Sequence, residues 1–179
     1  MVNNTQIESH HGVLMRINGY GVLILGPAGS GKSSLALELL SQGHQLIADD
    51  VVDFSKHKNA IIGHCPPMLE GLLHTRELGL ISVPTVFGQN AWQRQQTVDF
   101  VISLQSVFKP NIQLTIEEKR YILLEQALPL LTLSTHNPAS LVHRIQCWIT
   151  MNNDTHRPEK ELNNRQQKIM SNIKYREHS

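Results

Sequence analysis

The sequence has little of what marks a secreted or membrane protein. Only two of its 179 residues are cysteines, Cys65 and Cys147, and they lack C-x-x-C spacing. We therefore expect neither a disulfide framework nor a cysteine zinc site, and the reducing cytoplasm is the expected compartment. The first 15 residues are polar, so no signal peptide is visible, and no apolar run reaches membrane-spanning length.

An excess of charge of either sign is also missing. The net charge is +1 with histidine neutral, which predicts no general affinity for nucleic acid or for a membrane. Hydrophobic residues make up 40% of the chain, enough to bury a core, and the length suits one domain, or one domain with a tail. There are ten histidines, and we expect most of them to be surface or core residues rather than metal ligands.

The strongest positive signal is a phosphate-binding loop, Gly26-Pro27-Ala28-Gly29-Ser30-Gly31-Lys32-Ser33, which fits G-x-x-x-x-G-K-S/T. Its glycines let successive N–H groups point at phosphate oxygens. Lys32 can neutralise phosphate charge, Ser33 can hold Mg²⁺, and the next helix offers its positive end. An apolar run of strand length, residues 20–25, precedes the loop, and helix-forming residues 34–40 follow it.

The strand that feeds this loop is predicted to belong to a hairpin. Residues 13–17 are strand-like and lead into Asn18-Gly19, a strong two-residue turn signal. The other predicted strands are short and separated by tight turns, which favours an α/β protein with a mixed or largely antiparallel sheet. They are residues 44–48, 51–54, 60–63, 98–104, 121–125 and 130–133. A second helix is predicted over 138–151, with Asn137 as its N-cap.

The chain is expected to divide into three parts. Residues 1–9 are polar and predict a flexible N-terminus, and residues 10–151 form the phosphate-loop domain. Residues 152–179 make a polar basic tail, either helical or disordered. Between Arg157 and Ser179 there are six Lys or Arg residues against three Asp or Glu residues, so the tail is either simply solvated or serves binding or assembly.

Two adjacent carboxylates, Asp49 and Asp50, end the strand that follows the loop helix. A carboxylate in this position can bind Mg²⁺ directly or through water. Neighbours on an extended chain point to opposite sides, so we expect a division of labour. One aspartate addresses the metal and the other takes a proton from an incoming hydroxyl. The alternative is a turn with two solvated aspartates.

Two further positions are candidates with simpler alternatives. His11 lies before the hairpin, and regular pairing would put it near one end of the loop strand. On spacing alone, the simpler interpretation is an ordinary histidine in a polar N-terminal region. Arg76 stands in a polar cluster with His74 and Glu77 and could steady the charge of a transferred phosphoryl group. The simpler interpretation of that cluster is a surface turn with an ion pair.

In combination, these stretches resemble the catalytic domain of HPr kinase/phosphorylase, a bacterial family that phosphorylates a serine of the phosphocarrier HPr. Four stretches carry the resemblance in order: His11-Gly12-Val13, the phosphate loop, residues 43–50 and residues 73–83. The third reads Gly-His-x-Leu-x-Ala-Asp-Asp, and the fourth is similar to the family's L-E-I-R-G-x-G-I. The resemblance runs from about residue 10 to residue 90 and leaves out the family's N-terminal domain, so a version with the catalytic domain alone is expected.

The resemblance implies a fold and a set of roles. The fold is the P-loop kinase fold shared with phosphoenolpyruvate carboxykinase, a mixed sheet with a hairpin leading into the phosphate loop. The implied active-site roles fall on six residues: His11 assists the aspartate, Lys32 is the loop lysine, Ser33 is the Mg²⁺ ligand, Asp49 lies near the metal, Asp50 accepts the proton (and donates it in the reverse reaction), and Arg76 is the signature arginine.

The sequence also departs from the family. The signature glutamate, a Mg²⁺ ligand there, is His74 here, and the glycine after the arginine is Glu77, which could replace the lost carboxylate by swinging toward the metal. The family's Tyr-Asp-Arg-Leu-Gly stretch has no counterpart between Leu104 and Tyr121. Its Pro-Val-Arg-Pro-Gly-Arg-Asn loop is likewise absent from residues 129–137. These losses bear on the phosphorylase reaction more than on ATP binding.

The leading hypothesis is therefore a kinase that uses ATP and Mg²⁺ to phosphorylate a serine of HPr, or of an HPr-like carrier, and so regulates the phosphotransferase system and carbon metabolism. The resemblance also implies a homo-oligomer, a hexamer in the family. Two alternatives stay open. One is a catalytically degenerate nucleotide-binding regulatory protein, and the other is a P-loop kinase of a different acceptor.

Overall fold

A computed structural model gives the structure of residues 7–106, 118–153 and 158–176. Twelve strands and four α-helices lie in this part of the chain. The strands are β1 (Ile7–His11), β2 (Val13–Ile17), β3 (Tyr20–Leu25), β4 (Gln45–Ala48), β5 (Val51–His57), β6 (Ala60–His64), β7 (Leu72–Thr75), β8 (Gly79–Ser82), β9 (Gln95–Thr97), β10 (Phe100–Gln105), β11 (Lys119–Leu123) and β12 (Gln126–Ser134). The helices are α1 (Lys32–Ser41), α2 (Val83–Phe87), α3 (Leu141–Asn153) and α4 (Pro158–Arg176).

The central layer is a six-stranded sheet in the order β11-β12-β10-β3-β2-β4. β3 has the parallel strand β10 on one side and the antiparallel strand β2 on the other. The sheet is therefore mixed, as the sequence predicts. The loop strand stands inside the sheet, where neighbours on both sides hold the start of the phosphate loop.

The predicted hairpin into the phosphate loop is confirmed. Ile17 pairs with Tyr20, which leaves a two-residue turn. Asn18 and Gly19 both have positive φ angles, 51° and 91°. A type I′ turn requires this at both central positions, and asparagine followed by glycine tolerates it best.

A second sheet, in the order β1-β5-β6-β9, is antiparallel throughout. β1 corrects the expected flexible start of the chain at residues 7–9, because Ile7–His11 pairs along its whole length with β5. Residues 1–6 lie outside the described part of the chain. The partners of β1 lie forty or more residues away in sequence, and local polarity gives no sign of that pairing. A separate hairpin joins β7 to β8.

Side-chain alternation along the strands builds two cores on either side of the central sheet. In β2, Val13, Met15 and Ile17 pack with the helices, while Leu14 packs with the second sheet. β3 repeats the pattern, with Ile24 toward the helices and Leu23 toward the second sheet. Alternate residues of a strand face opposite sides, so a strand buried on both faces reads as a continuous apolar run.

Two connections pass from one sheet to the other at neighbouring places. The chain leaves β1 and enters β2 at Gly12, and it leaves β4 and enters β5 through Asp49 and Asp50. The N–H of Gly12 donates a hydrogen bond to the carbonyl oxygen of Asp50, at 3.1 Å. The sheet geometry thus brings His11 beside the two aspartates.

Both predicted helices, α1 and α3, are present, but the predicted first residue of α3 is wrong. Gly43, with φ of 84°, follows the end of α1, where a glycine with positive φ commonly ends a helix. Helix α3 starts at Leu141 rather than Pro138, so Asn137 as N-cap is wrong. The Ser140 hydroxyl accepts the N–H of His143, whereas Asn137 Oδ1 accepts the N–H of Ala139 in a turn before the helix.

In the basic tail, residues 158–176 form helix α4, whereas residues 154–157 and 177–179 lie outside the described part of the chain. None of the helices among the described residues combines the length and apolar character needed to cross a lipid bilayer.

Candidate active site

The phosphate loop leaves the carboxyl end of β3 and turns into α1. Gly29 and Gly31 have φ angles of 80° and 89°, a region that favours glycine over other residues. Lys32 begins the helix, and its ammonium group donates to the carbonyl oxygens of Gly26, at 2.8 Å, and Pro27, at 3.2 Å. The lysine is thus held over the loop, where its ammonium group could neutralise the charge of a bound phosphate.

Asp49 is buried beside the loop and is held by two donors. The Ser33 hydroxyl donates to Oδ1 at 3.0 Å, and the backbone N–H of His74 donates to Oδ2 at 2.8 Å. Burial raises the pKa of the Asp49 carboxyl, and these two hydrogen bonds lower it in part. The result is a fixed carboxylate next to the hydroxyl at the helix N-terminus.

Asp50 points the other way. The N–H of Val51 bonds to the carbonyl oxygen of Asp49 at 2.9 Å, which makes a tight three-residue turn around Asp50. Its φ angle is 69°, and its side chain is 75% exposed. The side chains of Asp49 and Asp50 point in different directions, as the sequence predicts. A strained turn at Asp50 causes this, rather than the alternation of side chains along an extended strand.

His11 lies against Asp50. Its Nδ1 is 3.2 Å from the Asp50 carbonyl oxygen, to which it donates, and 3.6 Å from Asp50 Oδ1. Both side chains are exposed, at 84% and 75%. The pair therefore places an imidazole and a carboxylate within reach of solvent at the mouth of the cleft.

Arg76 reaches the loop from the β7–β8 hairpin. A β-carbon built on Gly29 would stand 3.0 Å from Nη2 of Arg76, so the guanidinium lies directly against the loop backbone. The simpler interpretation of this cluster, a surface turn with an ion pair, is right about the turn, but no ion pair is found at Arg76 or Glu77 among the described residues.

One cleft of about 860 Å³ joins these groups. His11, Lys32, Asp50 and Arg76 line it with Ser33 and Asp49, and so do the loop residues Gly26, Ala28, Gly29 and Gly31, whereas Pro27 and Ser30 do not. Sequence reasoning missed the apolar part of its wall, because a leucine gives no chemical signal of its own. That part comprises Leu37, Leu69, Leu72, Leu78 and Leu80.

The donor set suits a magnesium-bound nucleotide. Within the described residues, no group of three or more His, Cys, Asp or Glu side chains is arranged to hold a metal. Mg²⁺ in nucleotide sites takes few protein oxygens and completes its shell with phosphates and water. Ser33 and Asp49 offer such oxygens, and the buried Ser30 hydroxyl in the loop has no hydrogen-bond partner in the described structure.

The two stretches in which the sequence departs from the family's arginine-containing motifs do not contribute to the cleft as described. The stretch in which the family's Tyr-Asp-Arg-Leu-Gly has no counterpart includes residues 107–117, which lie outside the described residues. Residues 129–137 are described. They comprise the end of β12 and the turn after it, and none of them lines the cleft.

Comparison with known proteins gives a consistent result. The sequence model described as the HPr serine kinase C-terminal domain matches residues 3–166. The HPr kinase/phosphorylase of Bordetella petrii is 48% identical over 95 residues, which cover 52% of this chain and 31% of the relative. The protein of the same name from Cupriavidus necator is 50% identical over 95 residues, covering 52% of this chain and 29% of the relative.

A solved structure agrees as well. The HPr(Ser) kinase/phosphatase from Coxiella burnetii matches with a TM-score of 0.75 and 33% sequence identity, over 82% of this chain and 96% of that chain. The chain spans less than a third of the length of the curated relatives named above. It belongs to the family of HPr serine kinase C-terminal domains, and its mixed α/β architecture is the P-loop kinase-like fold of that family.

Proposed function

We propose that this chain is an ATP- and Mg²⁺-dependent protein serine kinase whose acceptor is HPr or an HPr-like phosphocarrier. The observation that carries the proposal is the exposed His11–Asp50 pair, which shares one cleft with the phosphate loop and Arg76. The names of the relatives, HPr kinase/phosphorylase, support the acceptor and the class of reaction.

The buried side of the cleft is suited to hold the nucleotide. Backbone N–H groups of residues 26–33 and the Lys32 ammonium would bind the phosphates, and Ser33 and Asp49 would hold the metal. Bound ATP with Mg²⁺ supplies the phosphoryl group and neutralises part of its charge. Arg76, against Gly29, would steady the charge that develops on the transferred group.

The exposed side of the cleft is suited to a protein acceptor. Asp50 would accept the proton of the serine hydroxyl as that hydroxyl attacks. His11 donates to the backbone of Asp50 and stands 3.6 Å from its carboxylate, which keeps the carboxylate in place at the cleft mouth. An acceptor loop carried on another protein can reach these groups because both side chains are largely exposed.

The test is Asp50→Asn, assayed by transfer of labelled phosphate to a serine of HPr. Asparagine tolerates the positive φ of this position, so the turn is retained. Transfer should fall by about 100-fold or more, while nucleotide affinity stays within about threefold. Asp53→Asn is the matched control, since Asp53 bonds Ser9 away from the cleft, and it should keep full transfer. Full transfer by Asp50→Asn would contradict the assigned role.

Family resemblance supports further parts of the proposal: a homo-oligomer, a cytoplasmic location and a regulatory role in the phosphotransferase system. The reverse reaction, phosphorolysis, has less support than the kinase reaction, because the family's arginine-containing loop associated with it has no counterpart in residues 129–137. If the unaltered chain bound ATP but labelled no HPr-like carrier of its host, the degenerate binding protein or a kinase of another acceptor would be favoured instead.

A further inference from the structure

Two histidines line the cleft: His11 beside Asp50, and His74 in β7, the strand that donates a backbone hydrogen bond to Asp49. In β7, Leu73 and Thr75 are buried and His74 is exposed, so its side chain faces the opposite side from theirs. That side is the cleft, which His74 lines together with Ser33 and Asp49.

The backbone of His74 is fixed to the same carboxylate. Its N–H donates to Asp49 Oδ2 at 2.8 Å, while the Ser33 hydroxyl donates to Oδ1 at 3.0 Å. A carboxylate has about four acceptor positions, so these hydrogen bonds leave room for a cation or its water. Among the described residues, the His74 ring makes no hydrogen bond or ion pair, and the residue is exposed on the cleft wall.

We propose that the His74 imidazole is a nitrogen donor to the cation that accompanies the bound nucleotide, so that this site favours Co²⁺ and Mn²⁺ over Mg²⁺. The inference rests on the nucleotide site of the proposed function. Mg²⁺ selects oxygen ligands, whereas imidazole binds the later first-row metals better, in the order in which Co²⁺ exceeds Mn²⁺. Ser33 and Asp49 supply the oxygens, and the phosphates complete the shell.

The first measurement is the affinity of the full chain for a non-hydrolysable ATP analogue. Saturating Mg²⁺, Mn²⁺ or Co²⁺ is used at about pH 8, where an ordinary imidazole is neutral. Calorimetry should give a dissociation constant about tenfold lower with Co²⁺ than with Mg²⁺. His74→Glu should remove or reverse this preference. His143→Ala is the matched control, since it removes an exposed histidine on α3 outside the cleft, and it should leave the ratio unchanged.

The second measurement needs no variant. Pulsed electron paramagnetic resonance of the Mn²⁺ complex should show coupling to a nitrogen, and ¹⁵N-histidine labelling should change that coupling. A spectrum without histidine nitrogen, or a metal ratio that His74→Glu leaves unchanged, overturns the inference without touching the proposed kinase. Failure of the analogue to bind with any of the three ions overturns both.

Discussion

The guanidinium of Arg76 lies against Gly29, close enough that a β-carbon on that glycine would stand 3.0 Å from Nη2. The two residues come from different elements, the β7–β8 hairpin and the phosphate loop. Through this contact, the β7–β8 hairpin packs against the phosphate loop. The contact also places the positive charge of Arg76 where phosphate groups would lie in the proposed complex.

Arg76→Ala should reduce phosphoryl transfer to the carrier by about 100-fold or more, because it removes a donor aimed at charge that develops in the transition state. Nucleotide affinity should fall much less, since the loop backbone and Lys32 are kept. Transfer and binding are measured separately, by labelled phosphate and by calorimetry. Arg94→Ala is the control, because Arg94 is an exposed arginine paired with Glu70 outside the cleft. Equal losses of transfer and affinity for Arg76→Ala would argue against a role confined to transfer.

Asp49→Asn should stabilise the protein at neutral pH and weaken metal-dependent nucleotide binding. Burial raises the pKa of this carboxyl above its ordinary 3.8, so the native state binds the proton more tightly than the unfolded state. The free energy of unfolding contributed by Asp49 therefore falls as pH rises from about 3.8 through the raised native value. Asparagine carries no charge, and it can accept the N–H of His74 through Oδ1 while its Nδ2 donates to the Ser33 hydroxyl oxygen, which reverses that hydrogen bond.

Urea denaturation at neutral pH and below pH 3.8 checks this expectation. The stabilisation by Asp49→Asn should appear at neutral pH and vanish in acid, where the native carboxyl is already protonated. The affinity for the metal-bound ATP analogue should drop by about tenfold or more. A variant less stable than the unaltered protein at neutral pH would show that the charge of Asp49 is well compensated in the native state.

Gly21→Ala should be strongly destabilising. A β-carbon at Gly21 would stand 1.8 Å from the carbonyl oxygen of Thr97, a backbone atom that cannot yield without moving β9 away from β3. We expect a loss of about 3 kcal/mol, the upper end for overpacking. Gly43→Ala serves for comparison, because its φ is 84° but nothing lies within 4 Å, and it should cost about 1 kcal/mol. Urea denaturation of both variants measures the difference. Similar losses would mean that β9 shifts freely.

The sequence predicted the parts of the site that depend on neighbouring residues. Asn18-Gly19 identified its hairpin because a two-residue turn is decided by the φ angles that those residues tolerate. The phosphate loop was recognised because its glycines and Lys32 must stand at fixed spacing. The adjacent Asp49 and Asp50 were correctly expected to diverge, although the cause is a tight turn.

The parts that were missed depend on contacts between distant segments. β1 is polar and reads as a loose end, yet it pairs with β5. The sequence predicts Arg76 as a site candidate but not its contact with Gly29, because the two residues are far apart in the chain. The first residue of α3 was predicted wrongly because Ser140 and Asn137 are both good capping residues, and local preference does not choose between them.

The two sheet crossings, at Gly12 and at Asp49-Asp50, are joined by the hydrogen bond from Gly12 to Asp50. His11 and Asp50 are therefore joined both by the side-chain contact and by the backbone at the place where the two sheets meet. The strand that precedes the phosphate loop, β3, belongs to the central sheet alone. We therefore expect the distance between this pair and phosphates bound in the proposed complex to depend on how the second sheet packs against the central one.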